Sequence, residues 1–285
     1  MQYFSEVKMK KIYFAILVFI SFQMLSAAEK PEDFQLVKKV TDGTLNYSTF
    51  ELVVTGYGVA GMNVTNLNSA RINAEKAALA NAVQKTVEIL SSLPLSGKTT
   101  AWAYFKEKNM PDFVAKLVNP GDFKEISGER FYSNSSVDAT YKVNVADYIR
   151  KIADEASRNA ETVPGNAAES ADEAGKTKTV LVVRVKNAKF EPSLLMSLAD
   201  EKKNKIYDIS MSSTRRKSAA SVFFAVKKWD AVAEKAGISG EVLAVQALKI
   251  NNGSEIILKN SDADKIRAEL KKECFEEGKI VLVSE

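Results

Sequence analysis

Histidine is missing from all 285 residues, and cysteine occurs once, as Cys274. Without an imidazole there is no Ser-His-Asp or Cys-His catalysis, no histidine metal site and no histidine charge switch. A single thiol excludes an intramolecular disulfide and the cysteine-rich zinc and iron–sulfur centres. An exported chain without disulfides reads as bacterial periplasmic rather than animal extracellular. Long apolar runs are equally scarce. The one such run, Ile12 to Leu25, follows the basic start Met9-Lys10-Lys11 and precedes the small residues Ser26-Ala27-Ala28.

That order is the three-part signature of a secretory signal peptide, with a cut expected before Glu29. The run has about 14 residues, fewer than the roughly 20 needed to cross a bilayer. No stable membrane span is therefore expected. No cysteine follows the run, so no lipid anchor is expected either. Removing residues 1–28 takes away Lys8, Lys10, Lys11 and Glu6, which leaves 37 basic and 35 acidic residues, net +2. A balance so near neutral supplies little counterion release, and no nucleic-acid partner is expected.

The remaining residues are enough for two ordinary domains. Residues 157–178, "SRNAETVPGNAAESADEAGKTK", carry almost no large apolar side chain and read as a flexible linker. It separates an N-terminal domain (29–156) from a C-terminal one (179–285). In the first, Phe50–Thr55 predicts a strand and residues 68–90 a long helix, with Ala70, Ala74, Ala77, Ala78 and Ala82 crowding one face. Residues 100–118 predict a second helix, interrupted near Met110-Pro111. Strands over about 122–132 and 137–146 and a helix over Asp147–Ala156 follow. In the second domain, residues 179–185 predict a strand and 241–260 a hairpin turning at Asn251-Asn252-Gly253. A helix is expected from Ser261, with Ala263, Ile266, Leu270 and Cys274 on its buried stripe, and a last strand over 279–284. The fold class expected is α+β: two small α+β domains joined by a flexible linker, without regular βαβ alternation.

Several stretches imitate chemistry. Gly56-x-Gly58-x-x-Gly61 spells a dinucleotide fingerprint, yet the third glycine opens no helix, because "MNVTNLN" intervenes. The glycines are expected to turn the chain between strand and helix. Gly97-Lys98-Thr99 imitates the end of a phosphate loop, but Ser92 stands where its first glycine belongs, so a helix-breaking turn is expected. The serine–lysine hydrolase spacing occurs at Ser5–Lys8, inside the leader. Cys274 reads as a small core residue. The clusters Lys202, Lys203, Lys205 and Arg215, Arg216, Lys217 read as solvated loops. Catalytic, cofactor and metal sites are all expected to be absent.

The run "TGYGVAG…NLNSARINAEKAALANAVQKTVEIL" resembles the signature of a family of bacterial envelope proteins. The family includes small surface lipoproteins and the flagellar basal-disc and T-ring accessory proteins. Its glycine turn and alanine-rich helix fall here on Gly56, Gly58, Ala70, Arg71, Ala74, Ala77 and Ala78. Residues 179–208 and 233–270 are similar to the C-terminal part of longer members, with Gly240-Glu241 where the family has a proline nearby. The resemblance implies a non-enzymatic periplasmic or envelope structural or adaptor protein, in some members a flagellar accessory. Its partners would be envelope proteins or further copies of itself. The alternative reading is a periplasmic binding module for a small ligand or glycan. Arg71 is the polar residue of the signature. A cation near a helix N-terminus is disfavoured by the dipole, so it is expected to brace the neighbouring turn or strand, or to pair with Glu75 one turn on.

Overall fold

The computed structural model describes residues 34–61, 66–133, 135–158, 179–186, 192–208, 222–235, 240–251, 253–270 and 280–284. The expected leader, nearly all of the expected linker, Cys274 and Arg215–Lys217 lie outside them. Among the described residues no helix is long and apolar enough to cross a membrane.

The first half holds an antiparallel sheet in the order β1 (Val37–Val40), β2 (Gly43–Asn46), β3 (Glu51–Val59), β7 (Ser136–Asn144), β6 (Lys124–Phe131). β1 and β2 were not foreseen from the sequence. On β3 and β7 the side chains alternate as strand geometry requires. Leu52, Val54, Val137, Ala139, Tyr141 and Val143 are buried, and the intervening residues face outward. Helix α1 (Leu67–Ser92) crosses the buried face, starting where Asn66 accepts a hydrogen bond from the Asn68 N–H at 2.9 Å. After α1, Pro94–Ser96 (β4) and Thr99–Thr100 (β5) form a minute hairpin over Gly97, whose φ is 57°. The expected second helix is present as two pieces, α2 (Ala101–Glu107) and α3 (Phe113–Leu117), broken around Met110-Pro111 as foreseen. α4 (Ala146–Arg158) closes the half and runs two residues beyond the expected boundary.

Gly56 and Gly58 do not turn the chain. Both sit inside β3, paired with Ala139 and Val137 of β7, and both point at α1. A Cβ on Gly56 would collide with the Ala78 carbonyl, and one on Gly58 with the Ala74 carbonyl and the Ala78 amide. Two missing side chains on the strand thus meet an alanine stripe on the helix, and backbone approaches backbone. Ala74, Ala78 and Ala82 pack there with Val54, Val137 and Ala139. Gly61 has open space around its Cα and no helix at its side. The strand Phe50–Thr55 therefore extends to Val59, because only the bare glycines let it pass beneath the helix.

The second half is a seven-stranded mixed sheet in the order β10 (Lys205–Asp208), β9 (Ser197–Ala199), β13 (Glu255–Leu258), β12 (Glu241–Asn251), β8 (Thr179–Val185), β14 (Ile280–Ser284), β11 (Val222–Val226). β12, β8, β14 and β11 run parallel to one another, with α5 (Trp229–Lys235) on the crossover from β11 to β12. More βαβ character is present than the pattern suggested, since α5 is short and weakly signalled. α6 (Asn260–Leu270) begins one residue before the expected Ser261, where the Asn260 N–H meets the Glu201 carboxylate at 3.1 Å. Ala263 and Ile266 are buried as foreseen. β8 and β14 are covered on both faces, which explains their runs of Val, Ile and Leu. Val180, Val182, Val281 and Val283 pack with Val232 and Ala233 of α5.

The other face of that sheet joins the first half in one continuous core. Leu181, Val183, Phe224 and Leu282 belong to the same cluster as Leu45, Tyr47, Phe105 and Ile152. Backbone hydrogen bonds sew the halves together as well. Gln35 bridges Ala225, and the Val226 N–H donates to the Phe34 carbonyl at 2.8 Å, so the start of the described chain lengthens the edge at β11. The buried Ser48 hydroxyl donates to the Phe224 carbonyl and accepts from the Leu36 N–H. Beside β4, the Leu194 and Leu195 amides donate to the Pro94 and Leu95 carbonyls.

Candidate functional site

Large exposed apolar side chains concentrate at one end of the first sheet. β3 ends there, α1 begins there and the β6–β7 connection turns there. Tyr57, Val59, Leu67, Ile72, Phe131 and Tyr132 are each exposed by two-fifths or more. The glycine seam causes part of this. By pressing α1 against β3 it buries positions 56 and 58, and strand alternation then sends Tyr57 and Val59 to the opposite face.

On that outer face the register sets Tyr57 of β3 beside Asp138 of β7, and Arg130 of β6 beside Asp138 on its other flank. The Tyr132 hydroxyl donates to the Asp138 carboxylate at 2.6 Å. That bond raises the phenol above its ordinary value of 10, because losing the proton would set two negative charges together. The left-handed Ser135 (φ 61°) lets the chain fold back, so that the Tyr132 N–H reaches the Ser136 carbonyl at 3.0 Å. Tyr57, Tyr132, Ser133, Ser136 and Asp138 line an open depression of about 510 Å³. Further along the same face the pairs are polar: Thr55 with Thr140, hydroxyl to hydroxyl at 3.1 Å, and Glu51 with Lys142 at 2.9 Å.

Of the signature residues, Gly56, Gly58, Ala74 and Ala78 meet in the seam, and Ala70 is buried one turn before it. Ala77 is half-buried, off the contact line. Arg71 forms no ion pair with Glu75. Its guanidinium lies over the Phe131 ring, 5.1 Å from the centroid, and so braces the strand end. Gly97-Lys98 is a turn, with the Gly97 N–H donating to the Ser254 hydroxyl at 3.0 Å. Lys202 and Lys203 are exposed.

A second polar constellation escaped the sequence reading. The Asp200 carboxylate accepts from Arg267 of α6 at 2.6 Å, from the Lys202 and Asn204 amides and from the Asn204 side chain. Arg267 above all holds Asp200 down at about 2, against an ordinary 3.8. All its partners are protein groups, so it is a clamp between loop and helix. Nothing local announces a pair so far apart in sequence. The Tyr57–Asp138–Tyr132 group had a faint signal, since alternation through "GYGV" assigns Tyr57 the face opposite the glycines. Among the described residues no group of three or more Asp, Glu or Cys could hold a metal ion.

The second half is a mixed-sheet α+β domain. Residues 180–285 match the family model described as the second domain of Treponema pallidum Tp0624. The match begins one residue inside β8 and spans the seven-stranded sheet with α5 and α6; it does not include the tip of the first sheet. A search among curated proteins finds no match to the chain.

Proposed function

We propose that the protein is a non-enzymatic structural or adaptor component of a bacterial envelope, acting through protein surfaces. Residues 1–28 serve in this reading as the export leader, and the part of 157–178 that follows α4 as a tether between the halves. The flagellar accessory assemblies of the resembled family are the first setting to test. The observation that carries the reading is the exposed apolar tip. Six large side chains are exposed where β3, α1 and the β6–β7 turn end, Tyr57 and Val59 on the outer face of the sheet and Leu67 and Ile72 on α1, and clustered exposed apolar side chains of this kind mark interaction sites. The likeness of residues 180–285 to a Treponema pallidum domain supports a bacterial origin.

A photoreactive residue at Phe131 or Leu67 should trap envelope proteins or a second copy of the chain in cells, whereas one at Lys265 on α6 should trap far less. Fractionation should place the protein in the envelope. A cytoplasmic location, or a tip that traps nothing while the purified protein turns over a sugar or peptide, overturns the reading.

A further inference from the structure

The depression on the outer face of the first sheet combines two exposed aromatic rings with a carboxylate. Tyr57 and Tyr132, each 47% exposed, offer broad phenol faces. Between them Asp138 offers a carboxylate with one oxygen engaged by the Tyr132 hydroxyl. Among the described residues its other oxygen has no partner. Arg130 stands across from Asp138 in the β6–β7 register, without an ion pair between them. A bare aromatic pair around a carboxylate would favour an ammonium ion. An arginine paired across the strand on the same face, outside the lining of the depression, weakens that preference.

A neutral group with an apolar face and a hydroxylated edge matches this arrangement. We propose that the depression binds a neutral saccharide unit. The C–H face of the sugar ring lies on Tyr57, the free Asp138 oxygen accepts from ring hydroxyls, and the Ser133 hydroxyl donates to the sugar oxygens. Charge-assisted hydrogen bonds to a carboxylate are the stronger kind, while ring contact supplies burial and orientation. The depression is open to solvent, so a unit within a longer glycan fits as well as a chain end. Asp138 is already oriented by Tyr132, which limits the ordering lost on binding. Tyr57 and Tyr132 also belong to the exposed tip, but the proposal does not require the assembly reading, since sugar binding at the Asp138 face can be read apart from partner capture through Phe131, Leu67 or Ile72.

The test is titration of the full protein with chitotriose and cellotriose, followed by tyrosine fluorescence and by NMR. Saturable binding of at least one is expected. Tyr57→Ala should weaken it about tenfold, the loss of one ring contact, and Asp138→Asn by several-fold. Tyr132→Phe keeps the ring and should cost less than Tyr57→Ala. Circular dichroism and melting of each variant separate lost binding from lost folding. Leu67→Ser should leave sugar binding unchanged even where it abolishes partner capture. No saturable binding of either trisaccharide, or equal binding by Tyr57→Ala, overturns the proposal. So does a preference for the free-amine trimer of glucosamine, which would show a cation site, or a dish variant that loses protein capture while the sugars never bind.

Discussion

The two sheets are each covered by helices, yet by opposite means. In the second half, β8 and β14 meet α5 through valines, and side chain packs on side chain. In the first half, β3 meets α1 through Gly56 and Gly58 against Ala74 and Ala78, and the two backbones nearly touch. Side-chain layers can shift rotamers to absorb a change in volume, whereas a backbone–backbone contact has no such slack. The seam is therefore the less forgiving joint. It also shapes the surface, because it fixes where α1 starts and so which residues form the tip.

One methyl group added or removed sharpens the contrast most. Gly58→Ala places a Cβ against the Ala74 carbonyl and the Ala78 amide, so the helix must lift off the sheet. About 3 kcal/mol of destabilisation is expected, at the upper end of overpacking effects. In the second half, Ile256→Val removes one methyl from a fully buried site and should cost about 1 kcal/mol. Urea unfolding measures both. Equal losses would mean that the seam relaxes as easily as an ordinary core.

The halves also differ in how much of them could be read beforehand. α1, the break at Met110-Pro111, β7, β8, the β12–β13 hairpin and β14 follow from periodicity and from turn residues, which are local. β1, β2, β9, β10, β11 and α5 were missed. They are short, with three to seven residues each, and owe their form to neighbours supplied by distant chain. The glycines mislead for a related reason: a glycine at a turn and a glycine beneath a helix look alike until the helix is placed. Clustering of the alanines was legible, while its consequence, the exposure of Tyr57, needed the register. The Asp138–Tyr132 bond depended on a turn containing the left-handed Ser135, which no residue preference specifies.

Acid gives the next effect in size and acts on the second half. Asp200 has a folded-state value of about 2 against an ordinary 3.8, set first by Arg267. The charged carboxylate thus favours the folded state. Its contribution is complete above about pH 4, fades as the pH falls through the interval between the two values, and is gone below about 2. Asp200→Asn should lower the melting temperature at pH 7 and flatten its acid dependence over that interval. In the first half, Tyr148 is pushed up to about 12 by burial and by its bond to Asp122. The neutral phenol is favoured there, so that contribution is full below pH 10 and lost as the pH rises through 12. A wild-type acid profile that Asp200→Asn reproduces unchanged would remove the clamp from the account.

The smallest effect expected belongs to Arg71, and it bears on what the tip is for. The guanidinium sits near the positive end of α1, where the dipole disfavours it, and stacks on Phe131 at 5.1 Å with much of it exposed. Such contacts contribute about 0.5–1 kcal/mol at exposed sites, part of which the dipole offsets. Arg71→Ala should therefore cost no more than about 0.5–1 kcal/mol. Arg71→Lys should recover less than half of that, because an ammonium lacks the flat face that stacks on the ring. Phe131→Ala should cost as much as Arg71→Ala, and the double variant little more than either, as a double-mutant cycle would show for two members of one contact. Partner capture separates the roles. If Arg71 serves the fold alone, capture through Leu67 persists in Arg71→Ala at temperatures well below melting. Loss of capture by a variant whose stability is unchanged would make Arg71 part of the docking surface instead.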